Sequence, residues 1–581
     1  MSSPASPWKP EIKMSNENLL SPDQKIAGIL TPLSAIRGRH DIGIGDTETL
    51  VELAEWASKK GFRLIQILPV NETGNDNSPY NLISSIAYEP CTLAVNPRWL
   101  PDLTEADFKK ITKAHGVDSL REGKVKYAKV KALKHELLAA AFRNFQKSKG
   151  ARVRQFEKFC EEESEWLENY AIFRALGAWN DNDEVFTNWP AEHQNPAAAN
   201  EWTESLDELK RHRHDGLVRF FSYIQWVAIS QWRSVREEFD KLGMALMGDI
   251  PVGVSIYSAD VWAEPEIFDK SRSSGAPPEK VFKSDPFTEN WGQNWGFPLY
   301  NWQAMSRNNF AWWRRRLQAS REVFHLLRVD HALGFFRIWS FPWRPEDNER
   351  FTFLNHDQAR ELTGGALPCF VPHDDATPEN RDYNRRQGEM LFRVFLEETG
   401  SHRLIAEDLG EVAPYVRPAL EAMEIPGFKI PLWETEPDGC LKSGESYQRL
   451  SLATFATHDH PTIRQYWEGW GSDASGNGQR EMRAVMQFCG RPDITLPQNF
   501  SPEVHEAFLR GLFACNSWLA VHQITDIFGL AERFNVPGAI GDQNWTTRIE
   551  GTIKEWDKIY KNEISICSLA LKETGRIPNA R

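Results

Sequence analysis

The chain has 581 residues, 41% of them hydrophobic, so it can bury a large core; by length alone it is several domains or one barrel with insertions. A formal net charge of −13 argues against nucleic acid or an anionic membrane as the main partner. No apolar run approaches the roughly 20 residues that span a bilayer, and seven scattered cysteines without a CxxC pair fit reduced thiols in a cytoplasm, with no disulfide framework or zinc site.

Taken in order, Met1–Gln24 is rich in Ser, Pro and Asn and has no apolar centre, so residues 1–25 read as a disordered tail and not as a signal peptide. Everything from 26 to 581 reads as one catalytic unit. Ile26–Leu33 is a first strand, and Asp46, after Gly43-Ile-Gly, is placed to cap the amphipathic segment Thr49–Lys60. Arg63–Val70 is a second buried strand. Strand, helix and strand at this spacing form a βαβ unit, and hence a parallel sheet. The loop Asn71–Asn81 holds Ser78-Pro-Tyr80. From about residue 96 to 215 the chain is charged and helical in period, as in Val125–Phe145 and Phe156–Leu176, and reads as a helical insertion. Its Arg211-His-Arg-His214 run is a solvated face rather than a binding patch.

Alternation resumes with helix Phe221–Leu242 and strand Met244–Pro251. An irregular stretch rich in Gly, Pro, Asn and Trp covers about 262–302, and helix Ala311–Val323 leads into Phe324–Arg337. A second irregular stretch covers about 338–385. Helix Glu389–Thr399, strand Arg403–Gly410, helix Tyr415–Met423, strand Gly427–Trp433, strand Leu450–Asp459 and helix Val504–Val521 follow. Counting from Ile26 gives about eight strands, each leading to a helix or an insertion. That is an α/β fold, a (β/α)₈ TIM barrel with a helical insertion and long loop insertions at its C-terminal face.

Phe324–Arg337 (FHLLRVDHALGFFR) organises the rest. An apolar run before a polar cluster is a buried strand delivering side chains at its C-terminal end. Alternation turns Arg328 and Asp330 the same way, and a neighbouring guanidinium favours the ionised carboxylate. A buried pair that only ties down a strand is the plainer reading of this stretch alone. Asp249, Asp330, Glu407 and Asp459, however, all fall at strand C-termini, the face where barrel active sites lie. His331, His458 and His460 have no HExxH-type spacing, so a metal site is the weaker option. Glu407 follows the apolar Leu404-Ile-Ala, a setting that raises a carboxyl pKa. Asp330 beside Arg328 stays ionised. Such a split suits the acid and nucleophile of a retaining glycosidase. Asp408, facing away from Glu407, is structural. The 23 Trp, nearly twice the 12 Tyr, are mostly core, but such a surplus can also line a pocket for flat sugar faces.

Ordered motifs carry a resemblance. Leu30-Thr-Pro-Leu-Ser, Gly43-Ile-Gly-Asp46, Ser78-Pro-Tyr80, Gly248-Asp-Ile-Pro-Val, Gly275-Ala-Pro-Pro, Trp295–Trp302, Arg328-Val-Asp-His331, Ala406-Glu-Asp-Leu-Gly410, Thr457-His-Asp459 and Asn544-Trp545 stand in the order seen in the amylomaltases, the 4-α-glucanotransferases of glycoside hydrolase family 77. The run Trp295–Trp339 is most similar to the plant cytosolic disproportionating enzyme subgroup. The resemblance implies that Asp330 is the nucleophile, Glu407 the acid/base, and Asp459 the carboxylate gripping sugar hydroxyls. It implies that Arg328, His331 and His458 bond the sugar in the cleavage subsite. Tyr80 and Trp295 would pack on glucose faces, with Asn544 and Asp249 as lesser contacts. No cofactor is implied; the partners are maltose, malto-oligosaccharides and a glycogen- or starch-like glucan. Glu279, where the family usually has Asp, His460-Pro461 after Asp459, and longer segments on either side of Asp330 depart from the pattern and bear on outer subsites. An amylase-like hydrolase using the same acids is the alternative enzyme. A non-catalytic glycan-binding protein is the alternative class, and the full set of carboxylates speaks against it.

Overall fold

The computed structural model of the protein describes residues 20–278, 285–538, 541 and 543–577. Among these, twelve strands are formed: β1 (Ile26–Leu30), β2 (Leu64–Gln66), β3 (Ala245–Ile250), β4 (Phe268–Ala276), β5 (Gln293–Tyr300), β6 (Leu326–Val329), β7 (Ile338–Phe341), β8 (Cys369–Val371), β9 (Leu404–Ala406), β10 (Gly427–Lys429), β11 (Ser451–Ala453) and β12 (Leu519–Gln523). Eight of them close a parallel barrel in the order β1-β12-β11-β10-β9-β6-β3-β2. The barrel is the expected (β/α)₈ form. Its interior is filled by Leu30, Leu64, Met247, Leu326, Ile405, Phe428, Leu452 and Val521, all buried, so it is a packed core and not a pore. Glycine at 248 matters here: a Cβ would lie 2.5 Å from Phe324, whose ring closes over β3 just ahead of β6.

Helices start where caps permit. Asp46 accepts from Thr49 N at 3.0 Å and opens helix Thr47–Lys59, as its position suggested. The helix expected over Phe221–Leu242 begins earlier, at Glu208, because Asp207 supplies a cap to Lys210 N, and it ends on Gly243 at φ +61°. The helix expected from Glu389 likewise begins at Pro378 behind the Thr377 cap. From Glu105 to β3 the chain is mostly helical, with Tyr127–Phe145, Ser164–Trp179 and Glu208–Leu242 as its long members. No helix of the described residues is long and apolar enough to cross a membrane.

Three expectations change. Helix Val504–Val521 is really helix Pro502–Ala514 followed by β12, which pairs with β1 from Ile26↔Leu519 to Leu30↔Gln523. A turn at Asn516 and Ser517 separates the two, and the apolar Leu-Ala-Val suits either structure by periodicity alone. The stretches read as irregular instead supply β4, β5, β7 and β8, which form a four-stranded antiparallel sheet above the barrel. Register shifts between Asp269, Ser273 and Gly275 hid its alternation. Finally, the expected tail joins the fold from Leu20, which is buried under the barrel, and Pro22 O accepts from Arg449 Nε at 2.7 Å.

The lower end is closed by Arg576. Its Nε donates to Phe513 O (2.5 Å), Nη1 to Ile26 O (3.0 Å) and Trp518 O (3.3 Å), and Nη2 to Cys515 O (2.8 Å) and Ser517 O (3.0 Å). One side chain thus fastens β1 to the segment that enters β12.

Candidate active site

Three adjacent strands build the floor of the upper mouth. Register pairs Asp249 of β3 with Arg328 of β6, and Val329 of β6 with Ala406 of β9. Asp330 and Glu407 are the next residues on neighbouring strands, which run about 4.8 Å apart. The Arg328 side chain is buried. Its Nη1 donates to both oxygens of Asp249 at 2.7 Å and lies 2.9 Å from Asp330 Oδ1. Burial alone would weaken the guanidinium's hold on its proton, but the carboxylates outweigh it and push the pKa well above the usual arginine value.

Asp249 also accepts the Tyr80 hydroxyl at 2.7 Å, and its side chain has no exposed surface. Asp249, expected to contact the sugar, lies buried behind the cleft in this structure, bonded to Arg328 and Tyr80. Asp330 keeps 19% of its side chain exposed, with Oδ2 at 3.4 Å from Val252 N.

Glu407 is locked by backbone. Its N–H donates to Val329 O (3.0 Å), its carbonyl accepts from Ala332 N (2.9 Å), and its Oε2 accepts from His331 N at 2.8 Å. His331 itself sits at φ +43°, a left-handed conformation, and the amides of both His331 and Ala332 reach Glu407. Although the cleft leaves Glu407 some exposure, the protein around it desolvates the carboxyl. That burial, reinforced by the charge of Asp330, raises its pKa to about 8 against the pull of Arg328 and the His331 amide. The apolar strand pointed the same way. Asp408 faces outward, pairs with Arg417 at 2.8 Å and accepts from Phe428 N at 2.7 Å, the structural role its position suggested.

Asp459 approaches from the loop after β11. Its Oδ1 accepts from Asn535 Nδ2 at 2.6 Å, its Oδ2 lies 3.1 Å from His458 Nε2, and its carbonyl accepts from Arg533 Nη2 at 2.6 Å. Burial would raise its pKa; His458 and the Asn535 bond overcome that and hold it below the usual carboxylate range. The His458 ring stacks on Tyr80 with centroids 5.2 Å apart at 21°, beside Trp545. Tyr80 is thus tied at its hydroxyl and covered by His458, while staying half-buried at the cleft. Trp295, on β5, meets His331 edge-on at 4.9 Å. Asn544 engages the backbone of Val536, accepting from its N at 2.9 Å and donating to its O at 3.1 Å, so it braces the segment that carries Asn535.

Ten expected residues, Tyr80, Asp249, Trp295, Arg328, Asp330, His331, Glu407, His458, Asp459 and Asn544, thus border one cleft or support it. Asn535 and Arg533 were missed: they lie 76 and 74 residues from Asp459 in sequence and within no motif. Glu279 lies outside the described residues. Chemically, the floor sets a carboxylate held by a guanidinium beside a carboxyl whose pKa is raised by burial, on adjacent strands, the pairing of acids that retaining glycoside chemistry uses.

Residues 31–554 match the family model described as 4-alpha-glucanotransferase, glycoside hydrolase family 77. A 4-alpha-glucanotransferase of Chlamydia pneumoniae is 30% identical over 541 residues, 91% of this chain and 92% of that one. The rice (Oryza sativa subsp. japonica) 4-alpha-glucanotransferase DPE2 is 34% identical over 325 residues, 54% of this chain and 32% of the rice protein. In fold, an amylomaltase from Streptococcus agalactiae superposes with a TM-score of 0.74 at 22% identity, covering 95% of this chain and all of that one.

Proposed function

The chain belongs to the 4-alpha-glucanotransferases of glycoside hydrolase family 77, and from that premise we propose how its residues carry out the transfer. The enzyme moves α-1,4-glucan units between malto-oligosaccharides or glucans. In the proposed first step Asp330 Oδ2 attacks the anomeric carbon while the glycosidic C–O bond breaks, and Glu407 gives its proton to the departing 4-oxygen. Arg328 holds Oδ1, which leaves Oδ2 to form the glucosyl ester. In the second step the acceptor's 4-hydroxyl passes its proton to Glu407 and attacks the same carbon. The ester bond breaks and Asp330 leaves as a carboxylate. Two inversions give net retention.

Asp459, kept ionised, accepts the hydroxyls of the reacting glucose, with His458, His331 and Arg328 around it and Tyr80 and Trp295 as ring surfaces. The observation that carries this reading is the in-register placement of Asp330 and Glu407 on neighbouring strands in opposite electrostatic surroundings. Maltose is the proposed donor and a larger glucan the acceptor, as the resemblance across Trp295–Trp339 implies. Seven unpaired cysteines fit a cytoplasmic setting.

The test is labelled maltose, with and without glycogen. Label entering glycogen with one glucose freed per transfer supports the proposal. Both halves appearing as free glucose at the same rate whether or not glycogen is present would overturn it in favour of hydrolysis. Inert maltose with active maltotriose would overturn the donor assignment alone.

A further inference from the structure

Asp459 is carried by a four-residue turn, Thr457–His460, and the groups that close this turn have no part in the mechanism above. His460 N donates to Thr457 O at 3.1 Å. A side chain makes the return link: Thr457 N donates to His460 Nδ1 at 3.0 Å, and the Thr457 hydroxyl lies 2.8 Å from the same nitrogen. A backbone N–H can only donate, so Nδ1 is an acceptor and the ring's proton sits on Nε2. Burial favours this neutral form, pushing the His460 pKa down to about 4. With its first and fourth residues joined in this way, the turn presents its two middle residues, His458 and Asp459.

The link reaches Asp459 itself. Asp459 N donates to the Thr457 hydroxyl oxygen at 3.4 Å, and that hydroxyl passes its own hydrogen to His460 Nδ1. Thr457 and His460 are both buried, so a donor left unanswered there is costly. Trp433 meets the His460 ring edge-on, centroids 5.0 Å apart at 74°. Downstream, Thr462 caps helix Ile463–Gly471, whose first N–H reaches Asp526 Oδ1 at 2.9 Å. Arg533 and Asn535 hold Asp459 from outside the turn, through its carbonyl and Oδ1, whereas His460 acts from inside it.

We propose that His460 is a positioning residue for the reacting glucose: its Nδ1 holds Thr457 and so sets where Asp459 meets the sugar. The proposal rests on the assignment of Asp459 to the hydroxyls of that glucose and adds the group that aims it. Asparagine can replace it, because its Oδ1 stands as many bonds from the backbone as Nδ1 and accepts the same donors. Leucine keeps much of the bulk and accepts nothing.

The experiment measures kcat/KM for α-glucosyl fluoride and for its 2-deoxy and 3-deoxy forms, each lacking one hydroxyl of the reacting glucose. In His460→Leu the preference for the parent sugar over the deoxy forms is expected to shrink about tenfold, while in His460→Asn it stays within about twofold of wild type. Thr457→Val cuts the hydroxyl link from the other side; it should shrink the preference about threefold, and it carries the test if His460→Leu folds poorly. An unchanged preference in the folded variants, with all donors slowed alike, would make the turn scaffolding only and overturn the proposal. So would His460→Asn behaving like the leucine variant. Asp459→Ala with its preference intact would instead overturn the role given to Asp459 above.

Discussion

The barrel ends in two buried arginines, and they behave in opposite ways. Arg576 at the lower end is surrounded by carbonyl dipoles and no carboxylate, so burial dominates and lowers its pKa to about 9. Arg328 at the upper end is as buried, yet Asp249 and Asp330 press its pKa upward. Backbone carbonyls, most of them in the segment between helix Pro502–Ala514 and β12, fasten the chain there. Carboxylates around a guanidinium hold charge in a form that a reaction can draw on. The same side chain thus serves closure at one end and, in the proposed mechanism, chemistry at the other.

Variants at the two ends separate these roles, and the largest effect belongs to the upper one. Asp330→Asn is expected to lose roughly 10⁴-fold or more in turnover of maltotriose while its melting temperature moves by only a few degrees. A variant retaining a tenth of normal turnover would break the assignment. Glu407→Gln should lose about 10²- to 10⁴-fold on maltotriose but far less on α-glucosyl fluoride, whose leaving group needs little protonation. The wild-type kcat/KM should fall as pH rises through about 8, because the folded enzyme's Glu407 gives up its proton there; the limb should vanish for the glutamine variant with the fluoride.

At the lower end, Arg576→Ala should remove about 2–4 kcal/mol of unfolding free energy, since it strands several buried carbonyls. Its kcat at moderate temperature should stay near that of the wild type, and a large kcat change at unchanged stability would dissolve the contrast. The smallest effect is Asn535→Ala, expected to raise KM about tenfold by loosening Asp459, with little change in melting.

How far these roles were legible differs in the same way. The upper mouth's acids could be read because each follows a short apolar strand inside an ordered motif, so Asp330, Glu407 and Asp459 stood out. Their supports did not. Asn535 reaches Asp459 across 76 residues, and the His331 amide meets Glu407 in a turn with a left-handed residue that no residue type announces. Asp249 was legible as an acid but not as one hidden behind Arg328. At the lower end only the first strand is legible: β12 reads as helix, Leu20 as tail, and nothing in the sequence singles out Arg576. The insertion sheet was lost for a related reason. Its strands pair over long separations, carry bulges and mix glycine, proline and aromatics, so no two-residue period shows.

The bond from Arg576 to Ile26 O places the first strand and the last described helix side by side, on the face away from the cleft. Such proximity of the first and last described segments of the barrel is the geometry that circular permutation exploits. Linking Leu20 to Ile577 through a flexible linker, and opening the chain at an exposed turn such as Ser148–Gly150, would keep every barrel strand and the whole cleft in a polypeptide of reordered connectivity.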